Sequence, residues 1–265
     1  MLFWFLLFSV SMVHLGPGVN ACGVSTHISI AHEASFYMKE SKYADIVKSN
    51  RDAFVAGNPY PDFAYASQCF DAKYHDVSET THWAPFLNAT VNYIRRNFKQ
   101  PWNARAKKLI AFLFGFISHQ VADISWHSLG IDQGFIRAMA NVNFHAVFED
   151  AHGTADVGGD MISQLEGDDS LINQLQWFIP SKDLYQIYLD YYGKEMVTQE
   201  IIEECTTLLF LAWLGEKIAG AKLFKKYAKK SPFLHEKLHN YFLGMFLNSY
   251  ASLDSYHLTL YLQFI

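Results

Sequence analysis

The chain has 265 residues, of which 51% are hydrophobic and 16% aromatic, and its formal net charge is −5. This is enough apolar material for one large domain with a sizeable core, or for two small domains. The acidic balance, without any basic block, disfavours a nucleic-acid partner bound mainly through its phosphates. Hydrophobic residues recur mostly with a helical period and strand signals are sparse, so the sequence predicts an all-α fold.

The first 21 residues differ from the rest of the chain. The apolar run MLFWFLLFSVSMV is followed by the helix-breaking LGPGV and then by Asn20 and Ala21. The run has the length of a signal peptide and is shorter than the roughly 20 residues that span a membrane. We therefore expect residues 1–21 to be a signal peptide, with a membrane anchor as the alternative. The mature domain would then cover residues 22–265, be secreted, and contain no transmembrane segment.

Turn residues and helical periodicity divide the remainder of the chain. Pro59 and Pro61 interrupt the segment 57–76, which is predicted to be a loop, and Gly193 suits the C-terminal cap of a helix. The predicted helices cover residues 25–41, 43–56, 79–98, 105–129, 132–141, 144–165, 170–177, 181–193, 198–229 and 233–262.

A secreted chain can carry disulfides and N-linked glycans. Three cysteines remain after the expected cleavage, and one of them, Cys22, would be the new N-terminal residue. Cys69 and Cys205 are therefore the more economical disulfide pair. Asn88, in the sequence NAT, is the predicted glycosylation site, with a bare helix residue as the alternative.

Three residues spaced four apart, His119, Asp123 and His127, follow the uncharged stretch LIAFLFGFI. Side chains at this spacing drift only about 40° per step and stay on one face of a helix. Because burying a carboxylate and two imidazoles without partners is costly, they must be hydrogen-bonded, paired or bound to a cation. His152 and Asp156 repeat the spacing, and together these residues predict a metal site.

The geometry of the triad favours more than one ion. His119 and His127 would lie about 12 Å apart along a helix axis, whereas a zinc–imidazole bond is only about 2 Å long. Two ions with Asp123 bridging them fit better, in the manner of sites whose metals are about 3.5–4 Å apart. The candidates for the further ligands are Asp62, His82, His152 and Asp156.

The mature N-terminus offers another pair of ligands. Cleavage after Ala21 would expose a free amine at Cys22, five residues before His27. The amine and carbonyl of Cys22 could chelate a third ion together with His27. The alternative is that His27 lies on the polar face of the first helix.

Four sequence strings carry a family resemblance: CGVSTH, HDVSETTHWAPFLNATVNYIR, AFLFGFISHQVADISWHSLGIDQGF and FHAVFEDAHGTADVGGD. They resemble the N-terminal catalytic domain of the glycosylphosphatidylinositol-specific phospholipases D, over about residues 22–262. That domain is grouped with the zinc-dependent phospholipases C and the fungal single-strand nucleases, all-α enzymes that hold three zinc ions. The resembled enzymes also carry a β-propeller after this domain, which we do not expect in a chain that ends at Ile265.

The resemblance implies a distribution of ligands over three zinc ions. It assigns Cys22 and His27 to one ion, and Asp62, His82, His119 and the bridging Asp123 to another. It assigns His127, His152 and Asp156 to the third, although the bacterial phospholipases separate the residues matching Asp123 and His127 by six positions instead of four. His145 and Glu149 also have the four-residue spacing and remain an alternative to His152 and Asp156.

The resemblance implies a hydrolase in which zinc activates water for attack on a phosphodiester. Its substrates would be glycosylphosphatidylinositol-anchored proteins and phosphatidylinositol-type lipids at membrane surfaces, cleaved between inositol and phosphate to leave phosphatidic acid. A phospholipase C-like or nuclease-like phosphodiesterase is one alternative, and a weakly active zinc-binding form is another. The residues expected to take part in catalysis are Asp62, His119, Asp123, His127 and His152.

Overall fold

A computed structural model of the chain describes residues 23–38, 41–65, 69–127, 134–166, 176–215 and 217. These residues form α-helices and two short 3-10 helices, at Tyr60–Asp62 and Phe70–Ala72, and none of the described residues lies in a strand. The prediction of an all-α fold is confirmed. The helices are α1 (Val24–Phe36), α2 (Lys42–Ser49), α3 (Arg51–Gly57), α4 (His75–Thr81), α5 (Ala84–Asn97), α6 (Ala104–His127), α7 (Phe135–Asn143), α8 (Phe148–Glu166), α9 (Ser181–Tyr192) and α10 (Gln199–Gly215).

Two of the predicted helices are each divided into two, for local reasons. The predicted helix 43–56 is divided between α2 and α3, because Asn50 leaves the helical region and its side-chain amide donates to Ile46 O at 2.8 Å. The predicted helix 79–98 is divided between α4 and α5, where Trp83 is extended and a proline stands in the first turn of α5.

The segment 57–76, predicted to be a loop, contains both 3-10 helices and the start of α4. Residues 176 and 177 are not helical, contrary to the prediction for 170–177. The helix predicted to end at Gly193 does so, and Gly193 adopts the left-handed conformation with φ 65° that suits a cap. The expected signal peptide, Cys22, residues 170–175, most of 216–229 and the helix predicted at 233–262 lie outside the described residues.

The chain divides into two compact units. The first unit consists of residues 1–30, 121–174 and 210–252, and the second of residues 31–120, 175–209 and 253–265. The boundary falls inside α6, after Gln120, so this one helix contributes residues to both units.

In the first unit, α7 packs against α8 around a core that contains Trp126, Ile136 and Ala155. The turn between the two helices is tight, since His145 and Ala146 have φ values of 52° and 65°. Phe148, at the start of α8, packs against the same core. The indole of Trp126 thereby lies on the inner face of α8.

In the second unit, every residue of α6 from Leu109 to Gln120 is buried. Helix α3 approaches it closely at two glycines: a Cβ on Gly57 would lie 2.2 Å from Phe112 O, and one on Gly115 would lie 2.2 Å from Phe54 O. Only a residue without a side chain lets the two backbones come this near. The contact places Asn58, the residue after α3, beside the part of α6 that carries His119.

Cys69 and Cys205 lie at disulfide-bonding geometry in the second unit, with their Cα atoms 5.2 Å apart across a sequence separation of 136 residues. The predicted pair is therefore compatible with the fold. A disulfide here would link the segment before α4 to α10, two parts of the chain that are far apart in sequence.

Helix α6 is the helix among the described residues that is long and apolar enough, by length and composition, to cross a membrane. However, 83% of its most apolar window is buried inside the structure. This degree of burial is what the core helix of a folded unit shows.

The glycine contact between α3 and α6 generates a prediction. Gly57→Ala should lower the free energy of unfolding by at least about 2 kcal/mol, because the new methyl group would meet backbone atoms that cannot rotate away. Gly153→Ala in α8 is the matched control, since a Cβ there meets nothing within 4 Å. Alanine at that helical position should be neutral or stabilise by up to about 1 kcal/mol. Urea denaturation of both variants measures the difference, and equal effects would contradict the close approach.

Candidate metal centre

Three predicted ligands meet in the second unit: Asp62, His82 and His119. One potential ligand atom from each lies within 4.8 Å of the other two. His82 Nε2 is 3.3 Å from Asp62 Oδ1, and His119 Nε2 is 3.7 Å from Asp62 Oδ2. The two Nε2 atoms are 3.1 Å apart. Two imidazole nitrogens and a carboxylate are a donor set that zinc prefers in proteins.

The hydrogen bonds on the outer side of each imidazole determine which nitrogen carries the proton. His119 Nδ1 is 2.7 Å from Asn58 O, and His82 Nδ1 is 3.3 Å from Ser78 O. A carbonyl oxygen can only accept, so both Nδ1 atoms donate, and the tautomer that makes this bond has its lone pair on Nε2. The two oxygens of Asp62 face these nitrogens, and Asp62 Oδ1 makes no hydrogen bond among the described residues.

This arrangement fits a cation better than it fits a hydrogen-bonded core. Two lone pairs and a carboxylate oxygen that face one another in a buried space repel, and each loses its hydration. A divalent ion among them would accept all three donors. Backbone carbonyls that hold the outer nitrogens are the usual support of metal-binding histidines.

Short hydrogen bonds hold the segment that carries Asp62 against α4. Ser78 Oγ donates to Pro61 O at 2.5 Å and accepts from Ala64 N at 3.2 Å. Asp62 lies between Pro61 and Ala64 in the chain, at the end of the first 3-10 helix. His82 is the residue directly after α4. Ser78 therefore fixes the loop ligand relative to the helix that presents the histidine.

A polar network that sequence analysis missed supports His82 from outside. Tyr65 stacks on the His82 ring with centroids 5.3 Å apart, and its hydroxyl donates to Glu79. Trp83 Nε1 also donates to Glu79, at 3.0 Å. Burial alone would raise the pKa of Glu79, but the hydrogen bonds from Tyr65 and Trp83 outweigh it and lower that pKa below its ordinary value. The only signal along the chain was the four-residue spacing of Glu79 and Trp83, although Trp83 lies beyond the end of α4 in an extended conformation.

A second group of predicted ligands meets in the first unit, around Asp123 of α6. Asp123 Oδ1 is 3.4 Å from His27 Nε2 and 3.6 Å from His127 Nε2. All three side chains are buried. The alternative placement of His27 on a polar, solvent-facing side of α1 is wrong, since this residue is 1% exposed.

His127 also packs against His152 of α8, with ring centroids 4.7 Å apart. His152 Nε2 is 3.3 Å from Asp156 Oδ2 but makes no hydrogen bond among the described residues. Burial, together with the nearby His127, lowers the pKa of His152 to about 4, so its ring is neutral near pH 7. Trp126 Nε1 donates to Asp156 Oδ1 at 2.9 Å and leaves Oδ2 directed at the imidazole.

Other predicted residues fall outside these two groups. His145 and Glu149 are both exposed, at the turn before α8 and in its first turn. Burial thus separates two pairs that spacing alone could not, and it favours His152 and Asp156. Asn88 is exposed on α5, where a glycan would be sterically accessible. Cys22 lies outside the described residues.

Comparison with known proteins agrees with this donor set. The model of a family described as zinc dependent phospholipase C matches residues 26–215. The phosphatidylinositol-glycan-specific phospholipase D of Bos taurus is 44% identical over 253 residues, which is 94% of this chain and 30% of the relative. The protein of the same name from Homo sapiens is 43% identical over 254 residues, with the same coverage.

A more distant relative of the same name, from Dictyostelium discoideum, is 37% identical over 249 residues, which is 92% of this chain and 25% of the relative. The chain therefore spans about 30% of the length of the mammalian relatives it matches. No solved structure matches the chain significantly.

The network around His82 yields a prediction. Tyr65→Phe should weaken the binding of a zinc ion at Asp62, His82 and His119 by about tenfold, because Glu79 and His82 lose the hydroxyl that holds them in place. Tyr93→Phe is the matched control: its hydroxyl donates to Asp183 at 2.8 Å, and its loss should leave zinc affinity unchanged. Chelator competition measures both, and equal affinities in the two variants would refute a supporting role for Tyr65.

Proposed function

Because the chain belongs to the zinc-dependent phospholipase C family, we propose that it is a phosphodiesterase that cleaves glycosylphosphatidylinositol anchors. The cut would fall between inositol and phosphate, releasing the anchored protein and leaving phosphatidic acid in the membrane. One observation carries this proposal. The described ligand candidates, from His27 to Asp156, all lie inside the residues matched by the family and form buried groups with the donors that zinc prefers.

We assign three zinc ions to these residues. Asp62, His82 and His119 would hold one ion, and His127, His152 and Asp156 another. The Cys22 amine and carbonyl would hold the third with His27. Asp123 follows His119 by one turn of α6, and its Oδ1 lies within 3.6 Å of both His27 and His127. These neighbours support a bridging role for the Asp123 carboxylate.

Zinc bound in such a cluster supplies a Lewis acid that lowers the pKa of water and neutralises charge on phosphoryl oxygens. The side chains of the chain supply orientation. Asp62 Oδ1 is buried and has no hydrogen bond among the described residues, so it is placed to accept one from an attacking water molecule. Water would form the new bond to phosphorus, and the inositol oxygen would leave and take up a proton.

The family name keeps a second cut in consideration. A phospholipase C breaks the other ester of the same phosphate, between phosphorus and glycerol, and would leave diacylglycerol instead of phosphatidic acid. Fold does not decide between the two cuts. The relatives that cover most of this chain are named phosphatidylinositol-glycan-specific phospholipase D, which favours the inositol side.

A product assay tests the function directly. Purified protein is incubated with a glycosylphosphatidylinositol-anchored protein, with short-chain phosphatidylcholine and with single-stranded DNA. We expect release of the anchored protein with phosphatidic acid as the lipid product. Diacylglycerol, or hydrolysis of phosphatidylcholine or DNA alone, would assign the chain to the phospholipase C-like or nuclease-like alternatives. Three bound zinc ions with no hydrolysis of any substrate would indicate a weakly active binding form.

His119→Ala and Asp123→Ala should each reduce this activity by at least about 10³-fold, since a metal ligand is lost from a buried cluster. His145→Asn is the matched control, because His145 is exposed and asparagine tolerates its positive φ. It should retain wild-type turnover. Circular dichroism verifies that each variant is folded, and substantial activity in either ligand variant would contradict a shared cluster.

We further propose that the protein is secreted and carries a glycan on Asn88, which is exposed on α5. When the chain is expressed through the secretory pathway, glycosidase treatment should lower its apparent mass. Asn88→Gln should lower the mass to the same value and abolish the effect of the glycosidase. A mass shift that persists in Asn88→Gln, or none in the wild type, would exclude a glycan on Asn88.

A further inference from the structure

A buried carboxylate that belongs to neither group of ligands lies one turn beyond Asp156 on α8. Asp160 is 7% exposed, and its Oδ1 accepts hydrogen bonds from Thr26 N and Thr26 Oγ1, both at 2.8 Å. Thr26 is 134 residues away in sequence and lies in the first turn of α1. Its neighbour in the chain is His27.

The start of α1 lies so close to Asp160 that a side chain could not be accommodated between them. A Cβ on Gly23 would lie 2.1 Å from Asp160 Cγ. On the other side, a Cβ on Gly159 would lie 2.8 Å from Thr26 Oγ1 and 2.7 Å from Trp126 Cη2. Both glycines are therefore required by the same approach of α1 to α8.

A second hydrogen bond extends the contact along α8. Gln164 Nε2, one turn beyond Asp160, donates to Ser25 Oγ at 3.0 Å. The first turn of α1 is thus held at consecutive positions by side chains from a single face of α8. The N–H groups in the first turn of a helix have no intrahelical acceptor, and a carboxylate is the favoured partner there.

The contact between α1 and α8 affects the candidate metal centre, because both helices also carry candidate ligands. Helix α8 carries His152 and Asp156, and α1 carries His27, whose Nε2 is 3.4 Å from Asp123 Oδ1. A metal site binds tightly only when its ligands are held near their bound geometry before the ion arrives. The contact of Asp160 with Thr26 fixes the segment that precedes and includes His27.

We propose that Asp160 is a positioning residue for the zinc ion that His27 would bind. It acts as a hydrogen-bond acceptor that fixes the Gly23–His27 segment against α8, and it does not bind the ion. The inference rests on the proposed function, because it presumes that His27 is a zinc ligand. Asp160 is not one of the proposed zinc ligands, so the inference gives it a separate role in zinc binding.

Zinc affinity, measured by chelator competition on the full chain, tests this role independently of catalysis. Asp160→Ala should weaken the binding of one zinc ion by about 10- to 100-fold and leave the remaining ions in place. Asp160→Asn keeps an Oδ1 acceptor in the same position and should stay within about threefold of the wild type. Asp150→Ala, an exposed aspartate on the same helix, is the matched control and should change nothing.

Thr26→Val keeps the volume of the side chain and removes only the hydroxyl donor, so it provides the readout if Asp160→Ala does not fold. It should weaken the same ion by about threefold to tenfold. If Asp160→Ala folds and binds zinc with wild-type affinity, the proposal is wrong. If Asp160→Ala does not fold, wild-type zinc affinity in Thr26→Val has the same meaning. A loss in Asp160→Asn equal to that in Asp160→Ala would also overturn the proposal, because the charge would then matter and not the acceptor. A wild-type chain that binds no zinc would refute the proposed function itself.

Discussion

A hydrogen bond from Nδ1 to the backbone carbonyl of Asn58, at 2.7 Å, orients the His119 imidazole. This bond exists because α3 approaches α6 to backbone distance at Gly57 and Gly115. Asn58 follows the first of these glycines, and His119 lies one helical turn beyond the second. A larger residue at either glycine would move the Asn58 carbonyl away from His119. The hydrogen bond that selects the tautomer with its lone pair on Nε2 would then be lost.

The same electrostatic arrangement recurs in both units. In each, an imidazole Nε2 atom lies 3.3 Å from a carboxylate oxygen: His82 from Asp62 in the second unit, and His152 from Asp156 in the first. The other carboxylate oxygen of Asp156 is satisfied by Trp126, as the outer nitrogen of His119 is satisfied by Asn58. Hydrogen bonds that hold the outer atoms of such imidazoles and carboxylates are typical of the groups that orient metal ligands.

Sequence reasoning predicted much of this site, because its strongest feature is local. The four-residue spacing of His119, Asp123 and His127 depends only on helical geometry, and α6 does place them on one helix. Spacing could not separate the His152 pair from the His145 pair, since both have the same period and only burial differs. The roles of Asn58 and Asp160 depend on contacts across 61 and 134 residues, and no pattern along the chain encodes such contacts.

The two ends of α6 differ in the way their buried polar groups are compensated. Near its start, Arg105 donates to both carboxylate oxygens of Asp183, at 3.1 and 2.6 Å, and Asp183 also accepts from Tyr93. Those groups are mutually satisfied and hold the helix without any ligand. At the far end, Asp123, His27 and His127 are buried, and under the proposed assignment a bound cation would offset the cost of that burial. Under the proposed ligand assignment, α6 therefore carries charged groups near its start that are satisfied without any ligand, and candidate ligands near its end that a bound metal ion would stabilise.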